Sequence, residues 1–206
     1  MTNLTVFLVS VVLVTVAPGP DIIYVLTRGV SQGKRAGLAA AAGFSTGCIF
    51  HTALAAVGIS ALIRSSETAF TVIRLAGGAY LIYLGIGALR SRGVSLVGES
   101  TEVPPLWSIY RQSIVANILN PKVTLFFLAF LPQFVVPSAG SIGLQLMGLG
   151  LIFMTVTILI FGTVALFAGF IGDRLLRTPA VAGRIRALAG LTFIALGIRV
   201  ALPDLR

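Results

Sequence analysis

Two oppositely charged residues lie next to prolines inside long apolar segments of this sequence. Asp21 follows Pro18-Gly19-Pro20, and Lys122 follows Asn120-Pro121. Proline removes a backbone donor and clashes with the preceding helical turn, so a helix through either motif must kink or break. A carboxylate and an ammonium beside free backbone carbonyls can bind opposite charges. The two motifs therefore predict a polar site within an apolar protein.

The composition indicates a membrane protein. The 206 residues are 57% apolar and 10% charged, with a mean hydropathy of +1.03, whereas about 25% of the residues of a soluble domain are charged. This excludes a soluble enzyme, a nucleic-acid-binding module and a disordered chain. The net charge of +9 comes from basic residues that lie mostly between apolar blocks, where they orient a chain in the bilayer.

The apolar segments predict an all-α polytopic protein. A hydrocarbon core about 30 Å thick needs about 20 apolar residues per helix. Six spans are expected, at about 4–26, 36–63, 68–89, 107–136, 142–170 and 187–202, within a single transporter domain 1–206. The connections after the first, third and fifth spans hold ten basic residues: Arg28, Lys34, Arg35, Arg90, Arg92, Arg111, Arg174, Arg177, Arg184 and Arg186. The positive-inside rule places this side in the cytoplasm and both termini outside.

An internal repeat divides the domain. Residues 74–86 and 186–198, which are 112 positions apart, are identical at six of thirteen positions. Each half also has a proline break in its first span. Two three-helix halves, about 1–90 and 108–206 around a loop at about 90–107, must insert with opposite orientation. That is the inverted-repeat arrangement of many secondary transporters.

The motif residues allow two interpretations each. The first span can break inside the membrane, or it can end near residue 20 with Asp21 at the interface. An intramembrane lysine is a functional-site hypothesis by default, and the alternative is a structural Asp21–Lys122 ion pair. The predicted substrate and ion pathway consists of Pro18, Gly19, Pro20, Asp21, Asn117, Asn120, Pro121 and Lys122. The two asparagines can bind backbone groups that Pro121 leaves free.

Other residues offer less chemistry. His51 is most simply a hydrogen-bonded packing residue, and the alternative is a proton relay together with Asp21. Gly43 and Gly47 form a GxxxG helix-packing motif, and such glycine faces make a homodimer a further expectation. One histidine and one cysteine, Cys48, leave no metal site, disulfide or cofactor to predict.

Two longer motifs resemble the LysE-type family of bacterial amino-acid exporters, which includes threonine and homoserine efflux proteins. They are Ala17-Pro18-Gly19-Pro20 and the run from Leu119-Asn120-Pro121-Lys122 through Phe126 to Phe134. Length, number of spans and the basic first connection also fit. The resemblance implies a multi-pass protein of the bacterial cytoplasmic membrane that exports amino acids, driven by the proton-motive force.

The charged residues agree with this expectation in kind. An amino acid is a zwitterion, so Asp21 suits its ammonium and Lys122 its carboxylate. The expected partners are thus an amino acid, protons and the lipid bilayer, and no catalytic residue is predicted. A membrane-embedded enzyme would need a nucleophile–base or metal set that the sequence lacks. The alternatives are a non-transporting structural membrane protein and an exporter of another small solute.

Overall fold

Helices make up the fold of this chain in the computed structural model, which describes residues 3–59, 67–90, 104–177 and 179–202. These residues contain no β-strand, in agreement with the predicted all-α class. Most of the loop expected at about 90–107, the link around Arg64 and the terminal Arg206 lie outside the described residues.

Nine α-helices are described within these ranges. They are α1 (Leu4–Val16), α2 (Pro20–Gln32), α3 (Lys34–Leu54), α4 (Glu67–Arg90), α5 (Leu106–Ile118), α6 (Pro121–Leu125), α7 (Ile142–Leu166), α8 (Ala168–Arg177) and α9 (Pro179–Ala201). Helix α3 continues into a π-helical turn, Ala55–Ile59. Helix α6 continues through the π-helical Phe126–Phe130 and the 3₁₀ turn Leu131–Phe134.

Two of the predicted spans are bent at their prolines. The chain bends by 54° between α1 and α2, and by 47° between α5 and the segment Pro121–Phe134. Pro20 and Pro121 each lie in the first turn of the second helix, where proline's missing N–H costs nothing. Each preceding helix has 13 residues, or about 20 Å at 1.5 Å per residue.

The helices have the length and composition of membrane spans. Three qualify alone, namely Lys34–Gly58, Thr71–Arg90 and Ile142–Leu166. Each bent pair qualifies when counted as one span, and Ala187–Ala201 is a shorter apolar helix. Large apolar side chains face outward all around, with Val57 75%, Leu119 73% and Leu144 69% exposed. Such an apolar surface is typical of a protein that lies in lipid.

Two connections predicted as polar links are helical. Arg28 and Gln32 belong to α2, which ends at Gly33, a residue with a φ of 87° that favours glycine. The basic stretch after the fifth span forms α8 and the beginning of α9. Helix α8 packs beside α2, where Ala168 lies against Gly29 and Gly172 against Val30. The prediction rested on the charge of these segments. A helix at the end of a bundle, however, buries only one side and can carry charged residues on the other.

Glycines bring two helix pairs into close contact. Helices α4 and α9 meet where Gly78 faces Gly197 and Gly85 faces Gly190, so a Cβ on either member would lie under 3.0 Å from the other's carbonyl oxygen. On α3, Gly43 lies against the carbonyl of Tyr110 in α5. These glycine faces suggested a homodimer, but they are occupied within the chain. The homodimer stays a prediction.

Candidate functional site

The two proline breaks lie side by side and join their charges. Lys122 Nζ lies 2.7 Å from Asp21 Oδ1, to which it donates a hydrogen bond, and 2.7 Å from Asp21 Oδ2. Each residue is 3% exposed. Asp21 is therefore enclosed by protein, and its depth in the membrane stays a prediction. Residues 101 positions apart in the sequence form a buried ion pair between the two bent spans.

The helix ends around this pair suit the two charges differently. Asp21 lies in the first turn of α2, where the partial positive charge of the helix N-terminus stabilises a carboxylate. Lys122 lies in the first turn of α6, where the same partial charge opposes an ammonium. Lys122 instead donates to the carbonyl oxygens of Val14 and Ala17, each at 3.4 Å, at the C-terminal end of α1. The lysine charge therefore depends on contacts outside its own helix.

Gly19 leaves the space that the ion pair occupies. A Cβ at this position would lie 2.8 Å from Asp21 Oδ1 and 2.9 Å from Lys122 Nζ. The backbone of Gly19 is extended, with a φ of −148°, so the close approach and not the conformation requires glycine here. Pro18 and Pro20 flank this residue and keep the helix interrupted.

Asparagine forms the corresponding break in the second bent span. Asn120 Oδ1 accepts a hydrogen bond of 3.0 Å from the backbone N–H of Lys122 and caps α6, with Pro121 as the first helical residue. An asparagine cap followed by proline is a favoured helix start. The cap fixes the direction of α6 at the point where the lysine leaves it.

A second polar group adjoins the break through Asn117. Its backbone carbonyl lies 3.1 Å from His51 Nε2, and its Nδ2 lies 3.9 Å from Cys48 Sγ. Gly47 makes room for this side chain, since a Cβ there would lie 2.7 Å from Asn117 Oδ1. The structure thus brings together all the residues of the predicted pathway, and His51 reaches them through Asn117.

Several buried polar atoms around the breaks have no hydrogen-bond partner. In the described part of the chain they include Thr15 Oγ1, His51 Nδ1, Asn117 Oδ1, Asn120 Nδ2 and Thr157 Oγ1. A buried polar atom without a partner is costly. Such a cluster is typical of a site whose hydrogen bonds are completed by a ligand or by water.

Two of these residues, Thr15 and Thr157, are absent from the sequence-based prediction. Threonine in an apolar helix usually bonds to its own backbone, as Thr155 does to Leu151 O at 2.9 Å and Thr163 to Leu159 O at 2.7 Å. The sequence does not distinguish Thr157 from these neighbours. For Thr15 the only signal is its position three residues before Pro18.

Together these groups are complementary in charge to a small molecule that carries both an ammonium and a carboxylate. They offer one carboxylate, one ammonium, the carbonyls of Val14 and Ala17 that accept from the ammonium, and several polar atoms without a hydrogen-bond partner. The site contains no nucleophile paired with a base, and the described residues include no group of three metal-ligating side chains.

The conserved pattern of a known family covers nearly the whole chain. The model of the family described as LysE type translocator matches residues 12–203, which include both proline breaks. The chain belongs to the LysE type translocator family. It is therefore a membrane transport protein and not an enzyme.

Individual relatives of this LysE type translocator match over almost their full length. An uncharacterized membrane protein of Vibrio cholerae is 32% identical, over 95% of this chain and 94% of its own. One of Pseudomonas aeruginosa is 30% identical, over 100% and 97%. A protein of Salmonella typhimurium named leucine efflux protein is 28% identical, over 97% and 94%. No solved structure matches the chain.

Proposed function

We propose that this LysE type translocator exports amino acids or their derivatives from the bacterial cytoplasm across the inner membrane, in exchange for protons. The buried Asp21–Lys122 pair carries the proposal, because its two charges are the complement of a zwitterion. The Salmonella relative's name, leucine efflux protein, supports an amino acid as the substrate.

In this mechanism the substrate inserts between the paired charges. Its ammonium takes the place of the lysine at Asp21 and at the carbonyls of Val14 and Ala17. Its carboxylate binds Lys122 and accepts further hydrogen bonds from groups that have no partner in the described part of the chain, namely the hydroxyls of Thr15 and Thr157 and Asn120 Nδ2. A proton on Asp21, or one relayed through His51, would weaken the hold on the ammonium and release the substrate outside. In this mechanism Asp21 and Lys122 bind either each other or the substrate.

The proposal includes six spans arranged as two inverted halves. The α4–α9 contact supports it, because a two-fold axis in the membrane plane must relate each contact to a reversed copy. Gly78 contacts Gly197, and Gly85 contacts Gly190. In the repeat, Gly78 corresponds to Gly190 and Gly85 to Gly197, each 112 positions later. The symmetry operation therefore converts each of these two contacts into the other. Ile82 N and Ile194 N each lie 3.0 Å from the Cβ position of the opposing glycine.

Vesicles of purified protein test the function. Loaded with labelled leucine and, in parallel, other labelled amino acids, they should release substrate faster under a proton gradient directed inward. Vesicles without protein give the background. An efflux rate that does not depend on the proton gradient would contradict proton exchange. The absence of efflux for every amino acid would favour a structural protein or another solute.

The orientation can be tested with single cysteines in a Cys48→Ala background. Ser31 and Ser138 are exposed, and the predicted topology places them on opposite sides of the membrane. We expect Ser31→Cys to react with an impermeant thiol reagent only from the cytoplasmic side, and Ser138→Cys only from outside. The reverse pattern would overturn the orientation. Labelling of both from one side would contradict the number of spans between them.

His51 is expected to matter less than the charged pair. His51→Gln can keep the contact to the Asn117 carbonyl, because a glutamine amide is also a donor. We expect efflux within about threefold of the native rate, with an unchanged pH profile. Loss of efflux at normal protein levels in the membrane would instead assign His51 to the proton relay.

A further inference from the structure

The ion pair is closed off by a thick apolar layer on the side where α1 begins. This aromatic plug consists of Phe7, Phe126, Phe130, Phe134 and Phe153, none more than 4% exposed. Successive rings lie about 5 Å apart, from Phe7 to Phe134 at 5.1 Å and from Phe126 to Phe153 at 5.1 Å. Opening this side requires several packed rings to separate.

On the opposite side, two half-buried side chains of α2 and one exposed side chain of α5 connect the two helices. This inner latch consists of Tyr24, Arg28 and Gln112. Tyr24 Oη donates to Gln112 Oε1 at 3.1 Å, and Arg28 Nη2 donates to the same oxygen at 3.3 Å. The guanidinium also lies 4.9 Å from the centre of the Tyr24 ring. Helices α2 and α5 otherwise touch little, so the single Gln112 oxygen connects them here.

The latch lies close to the charged pair along both helices. Tyr24 is one helical turn from Asp21 on α2, and Gln112 is five residues before Asn117 on α5. At 1.5 Å per residue these separations are about 5 and 8 Å. A solute that passes between α2 and α5 therefore meets the latch immediately before the breaks.

Among the described residues, the guanidinium of Arg28 contacts neutral partners. Its hydrogen bonds in the described part of the chain go to the amide oxygens of Gln112 and Gln32, the latter at 3.0 Å. A guanidinium binds a carboxylate in a two-pronged geometry that is roughly twice as strong as a bond to a neutral oxygen. A carboxylate arriving from this side can displace the Gln112 amide from Arg28.

Building on the proposed export function, we infer that Tyr24, Arg28 and Gln112 form the cytoplasmic gate and that Arg28 is a first binding site for the substrate's carboxylate. Substrate binding at Arg28 exchanges the Arg28–Gln112 contact for an ion pair and so releases α2 from α5. The amino acid then moves one to two helical turns inward to Asp21 and Lys122.

The native cysteine tests the gate without any substrate. Cys48 is fully buried beside Asn117, so an impermeant thiol reagent reaches it only when a gate opens. Each latch hydrogen bond contributes about 1 kcal/mol, and the loss of both in Gln112→Ala should raise labelling of Cys48 in inside-out vesicles about thirtyfold. Tyr24→Phe, which loses one bond, should raise it several-fold.

Ser31→Ala is the matched control, because the Ser31 hydroxyl at the same end of α2 bonds only to its own helix, at Thr27 O. It should label at the native rate, and right-side-out vesicles should show no increase for any variant. Equal labelling of Gln112→Ala and Ser31→Ala would overturn the gate. So would an equal increase from both sides of the membrane.

Transport of labelled leucine tests the role of Arg28. Arg28→Gln should raise the internal leucine concentration needed for half-maximal efflux about tenfold with little change in the maximal rate, and Arg28→Lys should restore part of the loss. An unchanged half-maximal concentration would overturn the carboxylate site. If the native protein moves no amino acid, the proposed function and the carboxylate site both fail, whereas Cys48 labelling still decides the gate.

Discussion

The double variant Asp21→Asn/Lys122→Met is expected to fold and reach the membrane but not to export amino acids. The double variant removes both charges and so leaves no buried charge without a partner. Its free energy of unfolding should therefore stay near the native value. The substrate's ammonium and carboxylate, however, lose both of their opposite charges. Thermal unfolding of the purified protein and efflux from vesicles measure the two properties separately.

The single variants are expected to lose stability unequally. Removing one partner of a buried ion pair costs about 3–5 kcal/mol. Asp21→Asn leaves the Lys122 ammonium at a helix N-terminus, which opposes it, and should show the full loss. Lys122→Met leaves the Asp21 carboxylate at the N-terminus of α2. The partial positive charge there should offset the loss of stability by up to about 2 kcal/mol. Lys34→Met, which removes an exposed charge, is the control.

Two results would contradict this account. Efflux at the native rate from a stable double variant would show that the charges only join the two bent spans. A larger loss of stability in Lys122→Met than in Asp21→Asn would contradict the role assigned to the helix ends.

Gly43→Ala is expected to destabilise the protein by about 1–3 kcal/mol, the range for overpacking a tight contact, and to reduce efflux. The new Cβ would meet the backbone carbonyl of Tyr110 and would lie 2.6 Å from Ser113 Cβ. A carbonyl cannot rotate away, so α3 and α5 must separate. Asn117 lies one turn beyond Ser113 on α5, and its contacts to His51 and Cys48 would be displaced.

Gly162→Ala provides the matched comparison for this prediction. Gly162 lies within α7, and a Cβ there would meet nothing within 4 Å. Alanine should therefore leave stability unchanged or raise it by up to about 1 kcal/mol, because glycine is the poorer helix former. Unfolding temperatures of the two variants in one detergent decide the matter. Equal stability of Gly43→Ala and Gly162→Ala would show that the α3–α5 contact is loose.

The sequence by itself determined the membrane class, the helical fold, the family and the positions of both helix breaks. These properties depend on composition and on local chemistry. A long apolar run needs a helix in lipid, and Pro20 and Pro121 must interrupt a helix wherever it packs. The same local chemistry identified Asp21 and Lys122 as unusual, because each is a charge beside such a break.

Only the tertiary structure decided which groups meet and which stay unpaired. The contact of Asp21 with Lys122 depends on how two bent spans cross, and no local rule fixes that crossing. The unpartnered hydroxyl of Thr157 has the same origin, since neighbouring threonines with the same local sequence character bond to their own helix. The Tyr24–Gln112 contact joins a half-buried and an exposed side chain 88 positions apart. Such contacts follow from packing between helices, which composition and periodicity do not specify.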